Sequence, residues 1–134
     1  MSPSRIFILR PVGTWLLMAA IVFGQTECSP VAAQTRTHDS VEDKAGTIGL
    51  PLPNMETKIV DPNTGKTVPI GTIGEFCTRG YHVMLGYFEM PDATAAAIDA
   101  DGWLHTGDLC AMDARGYCTV EGRLKDMIIR GGEN

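Results

Sequence analysis

From Gly46 onward the chain meets a turn signal every few residues, and that spacing limits what it can become. The strongest signal is Asp61-Pro62-Asn63-Thr64-Gly65, in which Pro presets φ, Asp and Asn bond nearby backbone, and Gly closes the turn. Glycines at 71, 74, 80, 86, 102 and 116 punctuate the remainder of the chain. Most of these intervals are short and suit strands. Met55 to Val60 alternates as a half-buried strand, Glu75 to Thr78 is another, and Gly80 and Gly86 bracket a further one. Tyr117 to Val120 and Met127 to Ile129 read as the two strands of a hairpin-like unit. Asp101-Gly102 and Ala114-Arg115-Gly116 are tight turns, and Thr35 to Lys44, polar and charged, reads as an exposed loop. One helix is expected: Ala93 to Ile98 holds good helix formers, with Asp92 as cap after Pro91. The expectation is a mostly β chain, a β-rich subdomain or small distorted barrel with one short helix.

The opening segment supports two incompatible readings. Met1 to Gln34 has Arg5 and Arg10, an apolar run from Pro11 to Phe23, and small residues at Ala32-Ala33, as a secretory signal would. Pro11 inside the run and Glu27 before the supposed cut argue against it. The run also falls short of the roughly 20 apolar residues that cross a bilayer, so no transmembrane span is expected. The other reading is a buried strand from Met18 to Phe23 that ends at a turn carrying Thr26 and Glu27. Residues 1–17 remain an uninterpreted or misread start. The end at Gly131-Gly132-Glu133-Asn134 reads as a truncation within a loop.

Charge and cysteine usage narrow the partners. A net charge of −5 disfavours nucleic acid, which needs a surplus of Lys and Arg. Cys28, Cys77, Cys110 and Cys118 form no CxxC pair and show no repeat, so the spacing suggests neither zinc nor a disulfide framework but reduced, cytosolic thiols. No GxxxxGK[ST] loop is present.

Four clusters can carry chemistry. In Phe23-Gly24-Gln25-Thr26-Glu27 an aromatic, a tight turn, a hydroxyl and a carboxylate follow a strand. There Thr suits a phosphate oxygen, Glu suits Mg²⁺ and the ring suits a base; a plain turn with a solvated Glu is the alternative. In Trp103-Leu104-His105-Thr106-Gly107-Asp108 the final carboxylate can accept from two vicinal ribose hydroxyls, or can merely bond its own backbone in an Asx-type turn. Arg123 in Gly122-Arg123-Leu124-Lys125-Asp126 can reach ribose or phosphate, or belong to a charged turn. The glycines of Arg130-Gly131-Gly132-Glu133-Asn134 allow close approach to a ligand, or an ordinary turn.

In order and spacing, the phrases FGQTECSPV, GTIGLPLPNMETKIVDPNTGKTVPIGTIGEFCTRGYHVMLGYFEMPDATAAAIDADGWLHTGDL and GRLKDMIIRGGEN together resemble the adenylate-forming enzyme superfamily of AMP-binding enzymes. The branch most resembled is the medium-chain and fatty acyl-CoA synthetases, over about residues 20–134. The resemblance implies an α/β parent enzyme, with residues 18–121 in its large AMP-binding domain and 122–134 opening a small C-terminal domain. It implies an AMP-forming ligase that uses ATP, Mg²⁺ and coenzyme A. A carboxylic acid becomes an acyl-adenylate and then an acyl-CoA, the small domain rotating between the steps.

Carried onto this chain, the resemblance gives Thr26 a phosphate contact, Glu27 the Mg²⁺, and Asp108 and Arg123 the ribose. Lys125 becomes the hinge residue, and Gly131 and Gly132 the loop beyond it. Phe23, beside Gly24, stands where the family usually has a Tyr on the adenine, keeping the ring face without the hydroxyl. The phosphate loop and the lysine that neutralises the α-phosphate are expected outside this chain. On that basis the chain alone is incomplete and inactive, its partner being the remainder of its own enzyme. The parent would be cytoplasmic, meeting membranes only through a lipid substrate. Two readings compete: a non-catalytic truncated relic of the same family, and a small secreted β-domain, which would place Thr26 and Glu27 inside a removed signal.

Overall fold

The computed structural model describes residues 26–29 and 31–126. Phe23, Gly24, the expected strand at 18–23, and Met127 to Asn134 lie outside the described residues. Among the described residues the chain forms six strands and two short α-helices. The strands are β1 (Ala33–Gln34), β2 (Leu50–Pro51), β3 (Glu56–Val60), β4 (Gly74–Arg79), β5 (Leu104–Met112) and β6 (Cys118–Arg123). The helices are α1 (Val41–Gly46) and α2 (Pro91–Ala97), and short 3₁₀ turns cover Thr26–Cys28 and Leu124–Asp126.

β1 and β2 make a small antiparallel pair, while β3-β4-β5-β6 form a four-stranded antiparallel sheet in chain order. The expectation of a mostly β chain holds. The sheet is open among the described residues, with β3 and β6 at its edges, so the expected barrel is not closed there. β4 lies second in the sheet and is buried on both faces, every residue from Gly74 to Thr78 being buried. On one face Phe76 packs with Ile59, Cys110 and Cys118, and Ala32, Ile48, Val68 and Met112 close the cluster. The opposite face of the same strand holds Glu75 and Cys77, as the two-residue period of a strand requires.

Three local expectations change. The polar stretch read as loop contains α1, because Ser40 Oγ accepts the Asp43 N–H at 3.1 Å and so supplies the missing partner for a helix N-terminus. α2 is present, but Asp92 lies in its first turn and Met90 takes the cap position, with Pro91 as the preorganised first residue. No strand forms between Gly80 and Gly86; turns there are pinned by Val83 N–H to Gly80 O at 3.2 Å and Met84 N–H to Glu27 O at 2.9 Å.

β5 is nine residues long where the sequence suggests only a turn, because its middle is irregular. Across β4 and β5, Glu75 pairs with Leu109 and Cys77 with His105, so the single residue Phe76 faces Thr106, Gly107 and Asp108. Those three residues are a wide bulge set inside a strand. It is anchored at Thr106, whose Oγ1 donates to Phe76 O at 2.7 Å and accepts from Asp108 N–H at 3.2 Å. Gly107 takes φ +73°, a left-handed conformation that other residues adopt at a cost.

Candidate nucleotide site

The bulge opens onto a cavity of about 460 Å³. Its walls are Glu27 from the first 3₁₀ turn, Tyr87 from the loop before α2, the alanines Ala93, Ala96 and Ala97 of α2, His105 to Gly107 of the bulge, and Arg123 and Lys125 at the end of β6. α2 can wall a cavity closely because alanine adds little beyond the backbone. Its approach is fixed by Thr94, whose Oγ1 accepts from Tyr87 N–H and donates to Met90 O, both at 2.9 Å.

Glu27 is held from both sides. Tyr87 Oη donates to its Oε1 at 2.8 Å and Thr26 Oγ1 to its Oε2 at 3.1 Å. A backbone hydrogen bond first, and then the Tyr87 hydroxyl, hold the Glu27 carboxyl below the usual carboxylate range, and Arg123 adds to the same effect. An ionised carboxylate beside a hydroxyl, with room in front, is an oxygen-only donor set. It fits a hard cation that takes one or two carboxylates and completes its shell with phosphate and water, as Mg²⁺ does.

Asp108 and Arg123 are cross-strand partners in β5 and β6, and Arg123 Nε donates to Asp108 Oδ1 at 3.0 Å. The Asp108 carboxylate is mostly buried and the guanidinium mostly exposed, with side-chain exposures of 19% and 60%. Lys125 follows two residues later, in the second 3₁₀ turn. Of the residues expected to act, Thr26, Glu27, Arg123 and Lys125 are brought to or beside one cavity, and Asp108 stands next to the cavity-lining Gly107. Phe23 and Gly24 lie outside the described residues.

Sequence reasoning passed over Tyr87, Glu75 and His105. The Glu75 carboxylate reaches across from β4 and accepts from Gly107 N–H through Oε1 at 3.0 Å, while Oε2 lies 2.9 Å from His105 Nδ1. A carboxylate only accepts, so Nδ1 carries the proton in this pair. The Asp99 carboxylate lies 3.5 Å from the other ring nitrogen. No local pattern reveals this clamp, because its halves are about 30 residues apart in sequence. The one available hint is a charged residue, Glu75, opening the buried run Glu75 to Thr78. Glu75→Gln weakens one charge-assisted hydrogen bond and is expected to lower the thermal midpoint by a few degrees. An unchanged midpoint would show that the bulge holds its shape without this carboxylate.

None of the four cysteines is in a disulfide, and all are buried. Burial pushes Cys28, Cys77 and Cys110 up to about 12 and Cys118 to about 11, so all four are thiols at neutral pH. Among the described residues no helix is long and apolar enough to cross a membrane.

The described residues thus gather the Glu27 carboxylate, Arg123 and Lys125 around one cavity, with Asp108 paired to Arg123 beside it. The chain belongs to the AMP-binding enzyme family, whose sequence pattern matches residues 11–88. It is 59% identical over 114 residues to YngI of Bacillus subtilis (strain 168), proposed to be an acyl-CoA synthetase; the match takes in 85% of this chain and 21% of that protein. It is 46% identical over 135 residues to the mitochondrial medium-chain acyl-CoA ligase ACSF2 of Bos taurus, covering 99% of this chain and 22% of that one. Among solved structures, ATP-bound MatB from Rhodopseudomonas palustris superposes with a TM-score of 0.76 at 37% identity, over 83% of this chain and 22% of that one. The chain therefore spans about a fifth of the length of the curated relatives it matches.

Proposed function

We propose that the full-length protein containing this chain is an AMP-forming acyl-CoA ligase acting on medium-chain or longer fatty acids, and that this segment supplies the ribose and metal side of its nucleotide site. The observation that carries the reading is the convergence of Glu27, Arg123 and Lys125 on one cavity, with the Asp108–Arg123 pair at its edge. Supporting it are family membership and the ligase activity of ACSF2, together with the bound ATP of MatB.

On this reading Asp108 accepts from the vicinal ribose hydroxyls, and Arg123, 3.0 Å from Oδ1, orients that carboxylate. Thr26 donates to a phosphate oxygen. Glu27 holds Mg²⁺, which when bound offsets the phosphate charge that builds as pyrophosphate leaves. The fatty carboxylate attacks the α-phosphorus, giving an acyl-adenylate and pyrophosphate. The thiol of coenzyme A then attacks the acyl carbon and releases AMP. Lys125, in the turn just beyond β6, is the pivot between the two half-reactions. The reading places the enzyme in the cytoplasm, in keeping with four cysteines outside any disulfide.

The test is pyrophosphate–ATP exchange by the full-length protein across a series of fatty and aryl acids, followed by coenzyme A thioester formation. Exchange that needs both a fatty acid and Mg²⁺ is expected. In Glu27→Gln the Mg²⁺ concentration giving half-maximal exchange rises roughly tenfold, as one charged ligand of a hard cation is lost. Exchange that ignores every carboxylic acid offered sinks the reading.

A further inference from the structure

Below the bulge, β4 and β5 bring together three side chains that the proposed reaction does not use as ligands. Cys77 and His105 are register partners, and Glu75 precedes Cys77 by two residues, so strand alternation puts all three on one face. Cys77 Sγ lies 3.5 Å from His105 Nδ1, and Glu75 Oε2 lies 2.9 Å from the same nitrogen. One donor atom from each lies within 4.8 Å of the other two. Glu75 and Cys77 are 7% and 0% exposed, while the His105 ring remains 31% accessible from the cavity side.

We propose that Glu75, Cys77 and His105 form a three-ligand site for a thiophilic divalent cation, with zinc(II) the best fit. One carboxylate oxygen, one sulfur and one imidazole nitrogen suit a borderline-soft ion of tetrahedral habit, with the fourth position left toward the cavity. Mg²⁺ demands oxygen ligands and has no use for the thiol. Asp99, beside the other nitrogen of His105, is the outer carboxylate that orients metal-bound imidazoles and raises their basicity. Sequence spacing suggested no zinc because the ligands are assembled by strand pairing, 28 residues apart, and not by a CxxC turn.

Binding is a proton exchange without redox change. The cation takes the place of the Cys77 thiol proton, which leaves to solvent, while the imidazole proton passes from Nδ1 to Nε2, the side of Asp99, and frees Nδ1 to bind. The bound site then carries a dication against a thiolate and a carboxylate, and is neutral. Glu75 Oε1 stays on Gly107 N–H throughout, so an occupied site stiffens the bulge that carries Asp108. The binding claim does not depend on the proposed ligase reaction.

The test is spectroscopic. The metal-stripped full-length protein is titrated with Co²⁺, which reports tetrahedral thiolate ligation by a near-ultraviolet charge-transfer band and visible ligand-field bands. One Co²⁺ per protein with such a band is expected, displaced by Zn²⁺, and retained in Cys110→Ser. The band is lost in Cys77→Ser and in His105→Gln, and Asp99→Asn weakens binding roughly tenfold. His105→Gln alters a partly accessible ring and decides the matter should the buried Cys77→Ser protein fail to fold, as judged by circular dichroism. No charge-transfer band in the parent protein, or a band that survives in either folded variant, overturns the proposal.

Discussion

Asp108→Ala in the full-length protein is expected to raise the KM for ATP by roughly 10- to 150-fold, the loss of charge-assisted hydrogen bonds worth about 1.5–3 kcal/mol. The same change leaves Arg123 without the carboxylate it now meets at 3.0 Å, which on the proposed reading also loosens its approach to the ribose. Asp108→Asn keeps an acceptor of the same shape without the charge and should fall between the two. Steady-state kinetics with ATP varied at saturating acid and coenzyme A separate the cases. On the proposed reading the thioester-forming half-reaction, started from preformed acyl-adenylate, should suffer less, because an acyl chain adds contacts that ATP lacks. A KM for ATP within twofold of the parent would remove Asp108 from the nucleotide site.

The second large effect is on stability. Gly49 has φ +84°, and a Cβ placed there would lie 2.1 Å from Gln34 C, 2.2 Å from Gln34 O and 2.3 Å from Thr35 N. All three are backbone atoms, so no side chain can swing aside. Gly49 also accepts from Cys118 N–H at 3.1 Å, and Ile48 N–H donates to Cys118 O at 2.8 Å. This is the point where the β1–β2 pair is stitched to the first residue of β6. Gly49→Ala therefore combines left-handed strain of roughly 1–2 kcal/mol with overpacking of roughly 1–3 kcal/mol. The expected outcome is a fall in the thermal midpoint on the order of 10 °C, or no folded product. Gly65→Ala is the matched control: φ is +68°, yet nothing lies within 4 Å of the new methyl group. Only the backbone strain remains there. Equal midpoint shifts for the two variants would show that the close approach at Gly49 is relieved elsewhere.

Turn chemistry was the most legible part of the fold. The Asp61 to Gly65 turn closes as its residues dictate, with Asp61 Oδ1 accepting from Asn63 N–H at 2.8 Å and Gly65 N–H reaching Asp61 O at 2.8 Å. Strands whose side chains alternate or run apolar, such as β3 and β4, were legible for the same local reason. β5 was not, because Thr106-Gly107-Asp108 carries turn residues inside a strand, and only pairing with β4 and β6 shows that the ladder resumes on either side. α1 was hidden by its polarity. It has no buried residue, and its signal was the Ser40–Asp43 spacing and not an apolar stripe. At the site, the expected residues that lie in the described chain form one neighbourhood, since each sits in a short motif with its own turn. Tyr87, Glu75 and His105 act through contacts spanning 28 to 60 residues, and a linear reading has no means of finding such partners.

Because Phe76 alone faces the three bulge residues of β5, two residues of chain length are taken up there without a partner on β4. That surplus is slack in the weave of the sheet. Drawing it tight by removing two residues would let the ladder run on uninterrupted from His105 to Leu109, giving a more regular sheet and no loop to present Asp108. Regularity and recognition are thus rival uses of the same few residues. On the proposed reading, the strand keeps its flaw where the chain faces its ligand.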